Sequence, residues 1–237
     1  MRNLTTLVVP CALVIFVTGC ASTPASRYYT LSAETEPAAT SSGLSVVVGP
    51  VSVPDEVDRP QFVIRTGPNQ VRVDEFNLWA APLQDNILRV VAQNLAALLG
   101  TPHVTLFPQT LSTDVGYRVA IEVQRFDSAP GEAVNLDATW TVRRTKDRRA
   151  KMGRTTVREA VQENTYEALA AAHSRALGRL SRDIADAVRT LDRAKPEPFT
   201  VRFLADSAES SDEPPGLDRL FSGRTFATPI LLAETRE

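Results

Sequence analysis

The sequence predicts an α+β fold in which a mostly antiparallel sheet carries two long helices packed on one face. Three consecutive segments between 117 and 162 alternate apolar with polar residues, as the strands of a half-buried antiparallel sheet do. Two other segments, 82–100 and 164–191, repeat apolar residues at the helical spacing of three to four positions. The resulting order of strands, helix, strands and helix suits helices on one side of a sheet.

Residues 1–19 have the pattern of an export signal. Arg2 gives a charged start, and the segment 4–17 is almost wholly apolar. An apolar run of that length fits the core of a signal peptide and is too short to cross a bilayer. We therefore predict that residues 1–19 are a signal, followed over 20–43 by the lipidated cysteine, a tether and a first strand.

The end of this signal, Val-Thr-Gly-Cys at 17–20, resembles the lipobox of bacterial lipoproteins. In those proteins the cysteine is acylated, with chains such as palmitate, and becomes the first mature residue. The resemblance implies that Cys20 is the lipidation site, and the Ala-Ser that follows it implies transfer to the outer membrane, facing the periplasm. Each buried methylene contributes roughly 0.8 kcal/mol, so two or more chains form a stable anchor. The alternative is an ordinary cleaved signal in which Cys20 is incidental.

Composition argues against several classes of protein. The chain has 26 Lys and Arg against 28 Asp and Glu, and this near-neutral balance argues against nucleic-acid binding. Cys11 leaves with the signal and Cys20 is assigned to lipid, so we expect no intrachain disulfide. Beyond the signal, no apolar run approaches the roughly 18 residues that a membrane helix needs.

Upstream of the first helix the chain is predicted to be mainly strand. Segments rich in Gly, Pro, Ser and Asn separate the apolar stretches. In order, we predict a first strand at 27–31, a buried strand at 44–48 with an extended continuation at 51–54, and a hairpin whose arms at 61–65 and 70–73 flank a four-residue loop.

The first helix is marked at both ends. Pro82 suits a first helical turn, and Gly100 suits a helix end. Just ahead of the helix, Trp79 together with Leu83 is predicted to anchor it to the sheet. The apolar stripe that would cover the sheet comprises Leu83, Ile87, Val91, Leu95 and Leu98.

The second half of the chain begins with strands and ends with a helix and a tail. Trp140 lies on the apolar side of one strand, and we predict it as a structural anchor. Asn164 is predicted to cap the second helix, which ends near Leu191 and closes a domain placed at 44–194. Residues 195–237 are acidic and rich in Pro, which predicts a mostly disordered tail. The predicted strands are 103–107, 117–123, 134–142 and 153–162.

The sequence offers little for catalysis. It has no phosphate-binding glycine loop, no Gly-x-Ser-x-Gly turn and no zinc-like Cys or His spacing, so we predict no catalytic residue, cofactor or metal. The two histidines are His103, expected in a loop or at a strand edge, and His173, expected on a helix face. A binding or scaffold role is favoured, with an envelope hydrolase of unrecognised site as an alternative.

A run of basic residues marks the turn between the last two predicted strands. Near a membrane such a cluster can contact a partner protein or anionic headgroups, each charge contributing about 1 kcal/mol at most. The alternative is a solvated hairpin tip whose charges keep the sheet edge soluble. The candidate contact residues are Arg143, Arg144, Lys146, Arg148, Arg149 and Lys151, with Arg154 beside them.

Several patches of the chain resemble the ABC-type transport auxiliary lipoprotein family, the PqiC-like subunits associated with membrane integrity. The resemblance implies a non-enzymatic component of a lipid transport system. Its implied partners are a protein with mammalian-cell-entry (MCE) domains and an inner-membrane transporter or permease. It also implies a ring-shaped homo-oligomer that docks the outer-membrane end of the MCE conduit. The patches that carry it are 28–31, 79–83, 87–95, 117–127 and 136–140.

A different class of function stays open at this point. A lipid anchor on a compact domain without catalytic residues also suits an activator or assembly factor of another envelope machine. Such a machine would be a cell-wall synthase or an outer-membrane assembly complex. Neighbouring genes separate the two readings, because MCE and permease genes favour transport and synthase genes favour the alternative.

Overall fold

Eight strands and two helices make up the part of the chain that the computed structural model describes, residues 24–108 and 115–194. The predicted α+β class is confirmed. The predicted signal, Cys20 and the predicted tail at 195–237 lie outside the described residues. The elements are β1 Arg27–Tyr29, β2 Val46–Ser52, β3 Gln61–Gly67, β4 Gln70–Trp79, α1 Leu83–Leu99, β5 Val104–Leu106, β6 Tyr117–Ala129, β7 Ala133–Arg144, β8 Ala150–Ala160 and α2 Tyr166–Arg193.

The sheet is organised around β6, which has one neighbouring strand on one side and two different neighbouring strands on the other. Along one side β6 pairs over its whole length with β7, and β7 pairs with β8. On its other side, the first half of β6 pairs with β2, whereas Ser128 near its end pairs with Ile64 of β3. The β2 branch continues to β5, and the β3 branch continues through β4 to β1.

The prediction of a mostly antiparallel sheet is only partly matched. The long β6–β7, β7–β8 and β3–β4 pairings are antiparallel. The shorter pairings of β1 with β4, β2 with β5, and β6 with both β2 and β3 are parallel. Neighbouring alternating segments joined by a turn predict antiparallel pairs, but parallel pairs join segments far apart in the chain, and alternation does not reveal them.

The two strands before α1 differ in detail from the prediction. The β3–β4 turn consists of two residues, 68 and 69, because Gly67 pairs with Gln70, so the four-residue loop is wrong. In β2, Gly49 does not end the strand. It lies inside it at φ 116°, where the register to β6 shifts between Val48 and Val51. Glycine adopts this backbone region without the clash that a Cβ would cause.

The two helices pack together over the sheet and bury their apolar stripes. In α1, Ile87, Val91 and Leu95 are fully buried, and the helix ends at Gly100 in the left-handed conformation. The α2 helix packs on β7, β8 and α1. Its cap is Thr165, whose side-chain oxygen accepts from the N–H of Ala168 at 3.1 Å, and not the predicted neighbour at 164.

Candidate functional site

The basic residues of the sequence gather at the turn between β7 and β8. Four of their side chains are exposed, and the turn includes Arg148 at φ 59°. Arg154 lies further along β8, where it forms an ion pair with Asp137 of β7. The exposed set is Arg143, Lys146, Arg148 and Lys151, and with Arg144 and Arg149 it forms what we call the basic hairpin.

Arg144 differs from its neighbours because it faces inward, with 9% of its surface exposed. Its guanidinium donates to the backbone carbonyls of Leu191 and, at 3.1 Å, of Ala194 at the end of α2. The last carbonyls of a helix lack partners within the helix, so Arg144 supplies two of them with a donor. The same guanidinium binds Asp147 and holds the pKa of that carboxyl at about 2. Arg144 therefore joins the hairpin to α2 and presents little surface to a partner.

An open cleft of about 460 Å³ lies where the basic hairpin meets the start of β6 and the end of α2. On its wall the hydroxyl of Tyr117 donates to Asp192 at 2.9 Å. Burial, together with the bond to Asp192, raises the pKa of Tyr117 to about 12. The cleft carries side chains of both charges, and it is lined by Gly116, Tyr117, Arg144, Lys146, Asp147, Asp192, Arg193 and Ala194.

The three predicted anchor residues lie in the core. Trp79 ends β4 and stacks on Phe62, with ring centroids 4.0 Å apart, directly ahead of the buried Leu83 that begins α1. Trp140 is buried on β7, and its indole N–H donates to the Thr155 hydroxyl at 3.0 Å. These placements put the aromatic residues at the junctions of the sheet with α1 and with α2.

The structure places the two histidines in different surroundings. His103 lies in the loop before β5. His173 lies on α2 as expected, on its fully buried face, with its Nε2 2.8 Å from the Ser128 hydroxyl. Its ring stacks on Phe126 at 3.8 Å, and burial lowers its pKa to about 3. The cavity beside Ser128 measures about 10 Å³, too small for a substrate to reach this Ser–His pair.

The comparison with known proteins assigns the family. A family model described as the ABC-type transport auxiliary lipoprotein component matches residues 29–185, well over half of the chain. The chain belongs to this family. No curated protein matched the sequence of this auxiliary lipoprotein.

Two solved structures share the fold of the auxiliary lipoprotein. A crystal structure of an uncharacterized protein is 21% identical, with a TM-score of 0.58, and the match covers 70% of this chain and 99% of that one. The protein XCC0632 from Xanthomonas campestris, of family DUF330, is 19% identical, with a TM-score of 0.59 and coverage of 70% and 98%. A PelC dodecamer from Paraburkholderia phytofirmans matches at 14% identity and a TM-score of 0.33, covering 61% and 93%.

The auxiliary lipoprotein also holds an ion-pair cluster that the sequence did not reveal. Asp127 is buried at the end of β6 and accepts from Arg65 of β3 at 2.9 Å and from Arg125. Burial pushes the pKa of Asp127 upward, but these two partners outweigh it and lower the pKa. Arg65 and Asp127 are far apart in the chain, and only the pairing of β3 with β6 brings them together. The alternation of polar and apolar residues in the sequence does not indicate which polar residues form an ion pair.

Within 24–108 and 115–194, no group of three or more His, Cys, Asp or Glu side chains is arranged to hold a metal ion. Neither α1 nor α2 combines the length and the apolar character required to span a bilayer.

Proposed function

We propose that this auxiliary lipoprotein is a non-enzymatic subunit of an MCE-type lipid transport system at the outer membrane. In this proposal acyl chains on Cys20 hold the domain on the periplasmic side of that membrane. There it docks the end of the conduit formed by an MCE-domain protein and supports membrane integrity. An inner-membrane transporter or permease lies at the other end of the conduit, and copies of the lipoprotein assemble into a ring.

The observation that carries the proposal is the family match over 29–185, which starts shortly after Cys20. It is supported by the lipobox-like sequence at 17–20 and by the character of the described surface. The cleft beside Tyr117 is open, and the buried pair of Ser128 and His173 has no space for a substrate. A docking subunit needs an anchor and a protein-binding surface, and the basic hairpin offers a positively charged surface of that kind.

The proposal is tested by crosslinking in intact cells followed by purification of the lipoprotein. We expect an MCE-domain protein in the purified complex, and we expect the yield to fall when Cys20→Ser removes the acylation site. Fractionation of the same cells should find the wild-type chain in the outer membrane and the variant in the soluble periplasmic fraction. Recovery of a cell-wall synthase or an outer-membrane assembly complex, without an MCE protein, would contradict the transport role.

A further inference from the structure

The strand β1 shows in which direction the tether approaches the domain. It runs parallel to β4, with Arg27 opposite Asn77. The chain therefore enters β1 from the side on which β4 begins, at Gln70. Cys20 precedes Arg27 by seven residues, the same number that separates Gln70 from Asn77. A fully extended chain of seven residues reaches about 25 Å.

The start of β4 and the basic hairpin lie at opposite ends of the sheet. Ile64 of β3 is opposite Ser128, so the β3–β4 turn projects past the C-terminal end of β6. Arg144 is opposite Tyr117, so the basic hairpin lies at the N-terminal end of β6. A strand of 13 residues spans about 40 Å at the usual rise of 3.3 Å per residue.

The end from which the tether comes carries exposed apolar side chains. Tyr28 is 66% exposed, Val71 43% and Val73 39%. Tyr29 packs inward on Phe62, so Tyr28 points to the outer side of the sheet. We call this surface the anchor face, and it comprises Tyr28, Val71 and Val73.

No described strand covers the open side of the anchor face. Val71 and Val73 face Arg65 and Val63 across the β3–β4 pair. On the other side of β4, β1 pairs only with the last three residues, Asn77 to Trp79. Arg27 and Arg72 are also exposed, but each alternates with the residues of the anchor face along its strand and points to the other side of the sheet. Tyrosine is enriched at the headgroup level of membranes, where its ring lies between the apolar interior and water.

We propose that the anchor face lies against the phospholipid bilayer, with Tyr28, Val71 and Val73 at the level of the headgroups. This inference rests on the proposed acylation of Cys20, since the short tether is what holds this end of the sheet near the membrane. It also orients the molecule. The basic hairpin then points away from the lipid, where it meets a protein partner and not anionic headgroups.

The orientation is tested with the acylated full-length chain in vesicles of phosphatidylethanolamine and phosphatidylglycerol. The mature chain has no free thiol when Cys20 is acylated, so the single variants Tyr28→Cys, Val71→Cys and Lys146→Cys can each carry one environment-sensitive fluorophore. We expect the labels at 28 and 71 to shift to the blue and to be quenched severalfold more by shallow spin-labelled lipid than the label at 146. Circular dichroism checks that each labelled variant is folded.

The outcomes separate the orientation from the anchor. The first outcome concerns protein that is acylated by mass spectrometry and bound to vesicles. If its labels at 28 and 71 are as exposed to water as the label at 146, the orientation alone is overturned. A blue shift at 71 that grows with the protein-to-lipid ratio means that a second copy covers the face, which also overturns it. An unacylated Cys20 with the protein in the supernatant overturns the proposed anchoring and the orientation with it.

Discussion

Gly153 leaves the space that the Trp140 indole fills. The two residues are opposite each other on β7 and β8, and a Cβ at 153 would lie 2.3 Å from Cζ2 of the indole. The indole is held by its bond to Thr155, whose hydroxyl donates to Asp183 of α2 at 2.6 Å. A glycine in the middle of an exposed edge strand thus serves packing on the inner face.

We predict that Gly153→Ala lowers the free energy of unfolding by about 1–3 kcal/mol, because overpacking forces the indole or the strand to move. Urea unfolding at neutral pH measures the loss. Gly43→Ala is the matched control, since a Cβ at 43 has no atom within 4 Å. If the two variants are equally stable, the indole moves aside without a loss of stability.

His173 makes the stability of the domain dependent on pH. Its pKa is about 3 in the folded protein, as a result of complete burial, against an ordinary value of 6.5. The folded state therefore favours the neutral ring, and the unfolded chain takes up the proton first as the pH falls. The stabilisation is complete above pH 6.5 and is lost progressively between pH 6.5 and 3.

At pH 5 we expect the wild type to have lost about 2 kcal/mol of this stabilisation relative to pH 7.5. The variant His173→Gln keeps a neutral side chain that can bind the Ser128 hydroxyl, so its stability should change less over the same range. His103→Gln, in the loop before β5, serves as the control and should follow the wild type. Parallel pH profiles for all three proteins would contradict the assignment to His173.

At the scale of elements, the start of α2 depends on one side chain. Thr165 accepts from the N–H of Ala168, and no such bond comes from Asn164. Both residue types are good caps, so the sequence cannot decide between adjacent candidates. The backbone decides, because Thr165 has the extended conformation of a cap at φ −126° and ψ 153°.

We predict that Thr165→Ala destabilises the domain by about 1 kcal/mol, the usual effect of losing a capping oxygen. Asn164→Ala, one residue earlier, should change the free energy of unfolding by a few tenths of that amount. Thermal or urea unfolding of both variants measures the difference. A larger effect at 164 than at 165 would place the cap one residue earlier.

The helices and the long hairpins were predictable because their signals are local. Pro82 and Gly100 bracket α1 within the sequence itself, and strict alternation marks β6, β7 and β8. The parallel pairs of β2 and β3 with β6 were not predictable, since their residues lie about 60 to 70 positions apart. The same reason explains why the ion pair of Arg65 with Asp127 was missed.

At the scale of the whole molecule, the candidate site was predictable in composition but not in function. The cluster of basic residues at 143–151 is visible in the sequence, yet the burial of Arg144 beneath the end of α2 is not. That contact arises because the end of a helix starting at Tyr166 returns to the β7–β8 turn. Two residues of one cluster, Arg144 and Lys146, thus have different roles, one in joining elements and one at the surface.

The exposed part of the basic hairpin is the surface that we expect a docking partner to contact. Reversing two of its charges with Lys146→Glu and Arg148→Glu should weaken recovery of the partner in crosslinking experiments severalfold, without changing acylation or membrane fractionation. Arg144 is left intact because its loss would disturb the end of α2. The matched control reverses two exposed charges elsewhere, Arg59→Glu and Arg158→Glu, the second on β8 opposite Asn135 and far from the β7–β8 turn.

The electrostatic nature of this contact gives it a second signature. Charges at an exposed surface are screened over about 8 Å at physiological ionic strength, so partner recovery by the wild type should fall as salt is raised. The variant with both charges reversed should have a lower recovery and a flatter salt dependence, whereas the control should behave as the wild type. If both double variants lose the partner equally, net charge governs the association and the basic hairpin has no special part in it. If neither loses it, the partner docks on another surface of the domain.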